Sequence, residues 1–137
     1  MFNLNLLKTL IDNNTNYVSE FLIEDTILIG SNIATPKVAI GYQRILPQTG
    51  ISETLTNNDF NDTLGSDLVQ IFEIQIACTA TLLPTIWKDL YTNLIGKILD
   101  PLNPSTSTMQ YLSGAPTVRN QNGILWVDHW SIHFPSL

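Results

Sequence analysis

The sequence predicts an α+β domain: a mostly antiparallel sheet of about four or five strands with helices packed on one face. Three stretches carry that prediction. From Leu68 to Ala80 the run LVQIFEIQIACTA alternates, with Leu68, Phe72, Ile74, Ile76 and Cys78 to one side and Glu73, Gln75 and Thr79 to the other. One buried and one accessible face is the antiparallel pattern. From about Pro84 to Leu99 the apolar residues Trp87, Leu90, Tyr91, Leu94, Ile95, Ile98 and Leu99 recur at helical spacing, so they form one continuous stripe. Near the end, two alternating segments flank Arg119-Asn-Gln-Asn-Gly123, a hairpin signature.

The remaining elements follow in chain order. Leu4, Leu7, Leu10 and Ile11 give an amphipathic helix from about Phe2 to Asn13, which Asn13-Asn14 stops. Val18, Phe21 and Leu22 continue the stripe into a short second helix or a turn, and Ile27 and Ile29 suggest a brief strand before Gly30-Ser31. Lys37 to Leu46 alternates as a strand, with Pro36 before it and Pro47 after it. Gly41 inside it marks a bulge or a close backbone approach. Residues 48–67 then form a long polar loop, anchored only by Ile51, Leu55, Phe60 and Leu64. A loop of that length inside a compact domain is a candidate for an arm that orders against a partner.

The helix after the central strand has Pro84 in its first turn and Asp100-Pro101 at its end. Two strands, about Gln110–Val118 and Ile124–Phe134, close the domain, which occupies residues 1–137 as one unit. In the last of them Trp126, Trp130, Ile132 and Phe134 share a face that Asp128 interrupts.

Composition narrows the function. The chain is 44% hydrophobic and only 13% charged, below the roughly 25% charged of an ordinary soluble domain. Low charge with Thr, Asn and Ser supplying the polarity favours a subunit whose surface is covered by partners. The net charge of −6 comes without any basic run, so binding to a phosphate backbone lacks its electrostatic source. An acidic surface suits solubility, or a channel through which DNA passes without sticking. No apolar run approaches the roughly 18 residues needed to span a bilayer, and the start lacks the pattern of a signal peptide. The expected location is therefore the cytoplasm, or a particle assembled there.

The residues that could carry chemistry do not combine into a site. His129 and His133 on a strand lie about 13 Å apart at ~3.3 Å per residue, too far to grip one metal ion. Asp59, Asn61, Asp62 and Asp67 lack the spacing and the terminal glutamate of a calcium loop. Asp128, His129 and Ser131 cannot form a relay, because neighbours on a strand point to opposite faces. Cys78, the one cysteine, excludes an intrachain disulfide and reads as a buried, inert thiol. Trp87, Trp126 and Trp130 read as core or interface anchors, since a base-stacking platform wants flanking Lys or Arg. The expectation is a protein that is not an enzyme and has no cofactor or metal.

The order of elements then matters: an N-terminal amphipathic helix, the strand Pro36-Lys-Val-Ala-Ile-Gly-Tyr42, a polar loop, the strand Gln70-Ile-Phe-Glu-Ile-Gln-Ile76, the Trp87–Leu99 helix, and a hairpin ending Trp126-Val-Asp-His-Trp-Ser-Ile-His-Phe134. This layout resembles the tail terminator proteins of tailed bacteriophages and the related minor tail or tail-completion proteins. The resemblance covers nearly the whole chain, by pattern and without a diagnostic short motif. It implies a structural subunit that forms a ring, commonly a hexamer, which caps the finished tail tube and offers the head-joining surface. Implied partners are copies of itself, the tail tube protein, a head–tail connector or neck protein, and a sheath protein if the tail contracts. DNA would be passing cargo, and no membrane is involved. The protein would reside at the head-proximal end of the virion tail after assembly in the host cytoplasm. Assembly contacts are expected at Glu53, Asp59, Phe60, Asp62, Asp67, Glu73 and Gln75.

Two other classes remain. One is a non-catalytic ligand- or peptide-binding module that uses the Trp126/Trp130 face as a pocket. The other is a hydrolase working through Cys78 or His129.

Overall fold

A computed structural model describes residues 3–22, 35–47, 67–102 and 108–135. The elements run α1 (Leu4–Asn14), β1 (Ser19–Phe21), β2 (Lys37–Pro47), β3 (Asp67–Cys78), α2 (Leu83–Leu94), β4 (Gln110–Asn120) and β5 (Gly123–Pro135). The strands form a five-stranded sheet in the order β1-β2-β3-β5-β4.

The sheet is mixed, which corrects the expectation of a mostly antiparallel one. β2–β3, β3–β5 and β4–β5 pair antiparallel, but β1 joins β2 in parallel, with Ser19 opposite Val38 and Phe21 opposite Ile40. The reason lies in the segment that the helical stripe had claimed. Val18 is 76% exposed and Phe21 is exposed too, so Val18, Phe21 and Leu22 do not extend α1's buried face. The chain instead leaves α1 at Thr15 and is caught by Asp12. The Asp12 carboxylate Oδ1 accepts from the Ser19 backbone N–H at 2.8 Å and from its hydroxyl at 3.1 Å. Lys8 pairs with Asp12 Oδ2 at 2.8 Å and also donates to the Ser19 carbonyl. That network fixes β1 beside α1 before the strand meets β2.

α1 starts two residues later than the spacing suggested, at Leu4, because Asn3 caps it, its side-chain oxygen accepting from the Asn5 N–H at 2.8 Å. Leu7 and Ile11 are its buried residues. α2 has Pro84 in the first turn but stops at Leu94, five residues short of the predicted end. Gly96 adopts φ +73°, a left-handed conformation that a residue without Cβ takes at little cost. The Lys97 N–H then returns to the Leu94 carbonyl at 3.0 Å, and the Gly96 N–H goes to the Met109 carbonyl at 2.9 Å. The buried stripe is Ile86, Leu90 and Leu94, with Trp87 and Tyr91 half-buried. Ile95 and Ile98, expected on that stripe, are exposed, and Leu99 is buried beyond the helix end.

β3 is the central strand. It pairs with β2 from Lys37↔Ala77 to Pro47↔Leu68, and with β5 from Asp67↔Pro135 to Cys78↔Ile124. In β2 the register slips between Tyr42 and Arg44. Gly41 meets the close approach foreseen for it: a Cβ there would lie 2.9 Å from Leu22 Cδ1. The β4–β5 hairpin turns at Gln121-Asn122, one residue earlier than an Asn-Gly turn would. Asn120 faces Gly123, and its side-chain oxygen accepts from the Asn122 N–H at 2.8 Å and the Gly123 N–H at 3.2 Å. Both turn residues keep negative φ, so this side-chain-held turn replaces the primed turn that Asn-Gly favours.

One buried cluster unites Leu7 and Ile11 of α1 and Ile86, Leu90 and Leu94 of α2 with Val38 and Ile40 of β2. Phe72, Ile74, Ile76 and Cys78 of β3 and Ile124, Trp130 and Ile132 of β5 complete it from the sheet. Each large side chain buried there contributes roughly 1.5–3 kcal/mol. A second, smaller cluster of Ala77, Leu125 and Val127 sits on the alternate positions of β3 and β5. That other face is less accessible than its polar residues suggested: Gln75 is fully buried and Glu73 half-buried.

Candidate functional site

The interruption in β5's aromatic run is the focus of the core. Asp128 pairs with Ile74 on one side and Gly114 on the other. It therefore lies on the same face as Trp126 and Trp130, and it is buried. Its Oδ1 accepts hydrogen bonds from Trp126 Nε1 at 2.7 Å, Tyr111 OH at 3.0 Å and Trp87 Nε1 at 3.2 Å. The three donors come from β5, β4 and α2, so a single oxygen joins the hairpin to the helix.

The rings that supply these bonds also pack on one another. Trp87 stacks on Tyr91 with centroids 4.8 Å apart, and Tyr111 meets Trp87, Tyr91 and Trp130 edge-on at 5.8, 5.4 and 5.2 Å. Such edge-to-face contacts place a ring's positive rim on its neighbour's negative face. Gly114 leaves the room: a Cβ there would collide with Asp128 Oδ1 and Tyr111 OH and lie 2.8 Å from Trp126 Nε1. Burial raises the Asp128 pKa above the ordinary 3.8, opposed by the bonds from Trp126, Tyr111 and Trp87 and by the nearby His129. Burial, with the adjacent Asp128, pushes the Tyr111 hydroxyl up to about 12.

On the opposite face of the sheet Leu125, Val127 and Ser131 of β5 are buried, while Ser113, Ala115 and Thr117 of β4 are exposed. There an open concavity of about 410 Å³ is lined by Glu73, Ser113, Ala115, Thr117, Val127 and His129. Glu73 and His129 are direct cross-strand partners. Gln75 Nε2 donates to Glu73 Oε1 at 2.9 Å.

The expected assembly residues distribute as follows. Glu53, Asp59, Phe60 and Asp62 lie outside the described residues, as do Ile27 and Ile29. Asp67 opens β3 opposite Pro135. Glu73 borders the concavity, and Gln75, two residues along β3, is buried. His129 and His133 occupy one strand, four residues apart. Among the described residues no group of three or more His, Cys, Asp or Glu could hold a metal ion. His129 and Ser131 share the face opposite Asp128, which divides the three residues of the rejected relay. Cys78 is buried, and burial pushes its thiol up to about 11.

Trp130 is buried and Trp126 half-buried within the core face, so these rings form packing and not an open pocket. Residue reasoning placed Asp128 among the tryptophans without recognising its role. The available signal was a lone carboxylate at a position whose alternation demanded an apolar residue. The concavity had no such signal, because its walls come from three strands.

β4 forms an edge of the sheet. It is exposed along its length except at Tyr111 and Gly114, and Leu112 and Val118 are 49% and 41% exposed. Among the described residues no helix is long and apolar enough to cross a membrane. In comparisons with known proteins, no protein-family model and no curated protein matches the chain.

Proposed function

We propose that the protein is a structural subunit of a bacteriophage tail, a tail terminator that forms a ring on the end of the tail tube and presents the head-joining surface. In this reading both helices roof one face of the sheet, and assembly uses the edge strand. The observation that carries it is β4, an eleven-residue edge strand that is largely exposed and has apolar Leu112 and Val118 outermost. Unpaired strand edges invite another chain, and proteins that stay monomeric blunt them. Register shifts at Tyr111/Ser113 and Pro116/Val118 and the missing donor of Pro116 blunt parts of this edge, so a neighbouring strand pairs only along the stretches that remain regular. The low charge and the element order support the same reading.

The partners are copies of the chain, the tail tube protein, the head–tail connector and, in a contractile tail, the sheath. DNA passes through an acidic lumen without being bound. The subunit has no catalytic role, and it is incorporated into the virion from the host cytoplasm. Light scattering and negative-stain microscopy of the purified protein test this directly. A ring, or decoration of the ends of isolated tail tubes, is the expected result. A strict monomer without affinity for tubes overturns it.

A further inference from the structure

The concavity over β4 and β5 has no part in ring closure by an edge strand, and its chemistry is specific. Its floor holds Glu73 facing His129 across the β3–β5 ladder, yet the two form no ion pair with each other. One Glu73 oxygen is engaged by the amide of the fully buried Gln75 at 2.9 Å, which orients the carboxylate and leaves its second oxygen for another donor. Val127 and Ala115 supply an apolar wall, and Ser113 and Thr117 add hydroxyls. Two register shifts, at Tyr111/Ser113 and Pro116/Val118, bracket the stretch of β4 that contributes this wall. Bulges commonly re-aim side chains around binding sites.

We propose that this concavity binds an organic cation, a primary ammonium or guanidinium group on a short apolar stem, with Glu73 as its counter-charge. Among the described residues no Lys or Arg lines the concavity, so its lining offers Glu73 no Lys or Arg counter-charge, and the carboxylate would repel an anion. A metal ion finds too few ligands, since no set of three candidate side chains exists among the described residues. The volume of about 410 Å³ lies within the range of small-molecule sites. The cation has two sources, a free amine or the Lys or Arg side chain of a partner. The site is independent of the ring assignment, because binding is measured in whatever oligomer the chain forms.

Calorimetric titration of the full chain in about 20 mM salt, where screening is weak, tests this with two probes. One is agmatine; the other is the capped peptide acetyl-Gly-Arg-Gly-amide. Saturable binding of either is expected, and tighter binding of agmatine or of the peptide assigns the source. Glu73→Gln should weaken the bound probe by about tenfold, and Thr117→Phe, at an exposed wall position, should block it without touching the core. Absence of saturation by both probes up to about 20 mM, a range that covers weak millimolar binding, overturns the proposal. So does unchanged affinity in a folded Glu73→Gln or Thr117→Phe protein.

Discussion

Trp87 and Asp128 stand 41 residues apart in sequence, and the indole N–H of the first donates to the carboxylate of the second at 3.2 Å. This bond ties α2 to β5 through the same oxygen that Tyr111 and Trp126 use. Removing the acceptor leaves three half-buried donors without this partner, each costing about 1 kcal/mol or more. Asp128→Ala should therefore lower the stability in urea by about 3 kcal/mol or more, whereas Asp128→Asn, which keeps an oxygen, should lose much less. Equal losses in the two variants would show that the oxygen is not the link.

The ionisation of Asp128 gives a pH test with a defined sign. Its folded pKa lies above the ordinary 3.8 because burial outweighs its hydrogen bonds. A carboxyl raised in this way binds its proton more tightly folded than unfolded, so its contribution grows as pH falls through the folded pKa towards 3.8. Asp12 acts oppositely. Burial would raise its pKa, but Lys8 and the Ser19 N–H and hydroxyl prevail and lower it, so its contribution is lost only as pH falls below 3.8. Between neutral pH and pH 4 the wild type should gain stability relative to Asp128→Asn. Parallel urea midpoints across that interval would refute the raised pKa.

Three glycines separate steric from conformational demands. Gly114→Ala drives a methyl into Asp128 and Tyr111, whose positions are fixed by the network, and should cost about 1–3 kcal/mol. Gly96→Ala meets no atom within 4 Å but must hold φ +73°, so a loss of about 1–2 kcal/mol is expected from backbone strain alone. Gly41→Ala meets chiefly the tip of Leu22, which can rotate away, and should cost less than about 1 kcal/mol. Thermal melts of the three variants check the order, and a neutral Gly114→Ala would remove the tight seat assigned to Asp128.

Cys78 offers a probe of the core. With its thiol buried and pushed up to about 11, little thiolate exists at pH 8, and a thiol reagent must wait for the protein to open. Labelling should be slow in buffer and fast in urea beyond the unfolding midpoint. Labelling in buffer at the rate of a free cysteine would show that β3 is not sealed at this end, and would reopen a nucleophilic role for the residue.

Local patterns were legible where a single rule acted. The alternation of Phe72, Ile74, Ile76 and Cys78 marks a strand because side chains alternate every residue whatever the strand packs against. The helical spacing of Leu4, Leu7 and Ile11 and Pro84 in the first turn of α2 likewise follow from neighbouring residues. Other features needed the assembled chain. Whether Val18 and Phe21 prolong a helix or start a strand was decided by Asp12 and Lys8 holding Ser19, since the apolar spacing suits either. Ile98 fits α2's stripe in sequence, yet Gly96 turns the chain first and leaves it 44% exposed.

By itself, then, the sequence determined the central strand, the two helices and the closing hairpin, because each depends on contacts only a few residues apart. The tertiary structure alone decided that β1 runs parallel to β2, that Asp128 collects three aromatic donors, and that Gln75 lies buried beside the Glu73 concavity. Those outcomes bring together residues tens of positions apart, and burial and hydrogen-bond geometry there depend on which strands become neighbours.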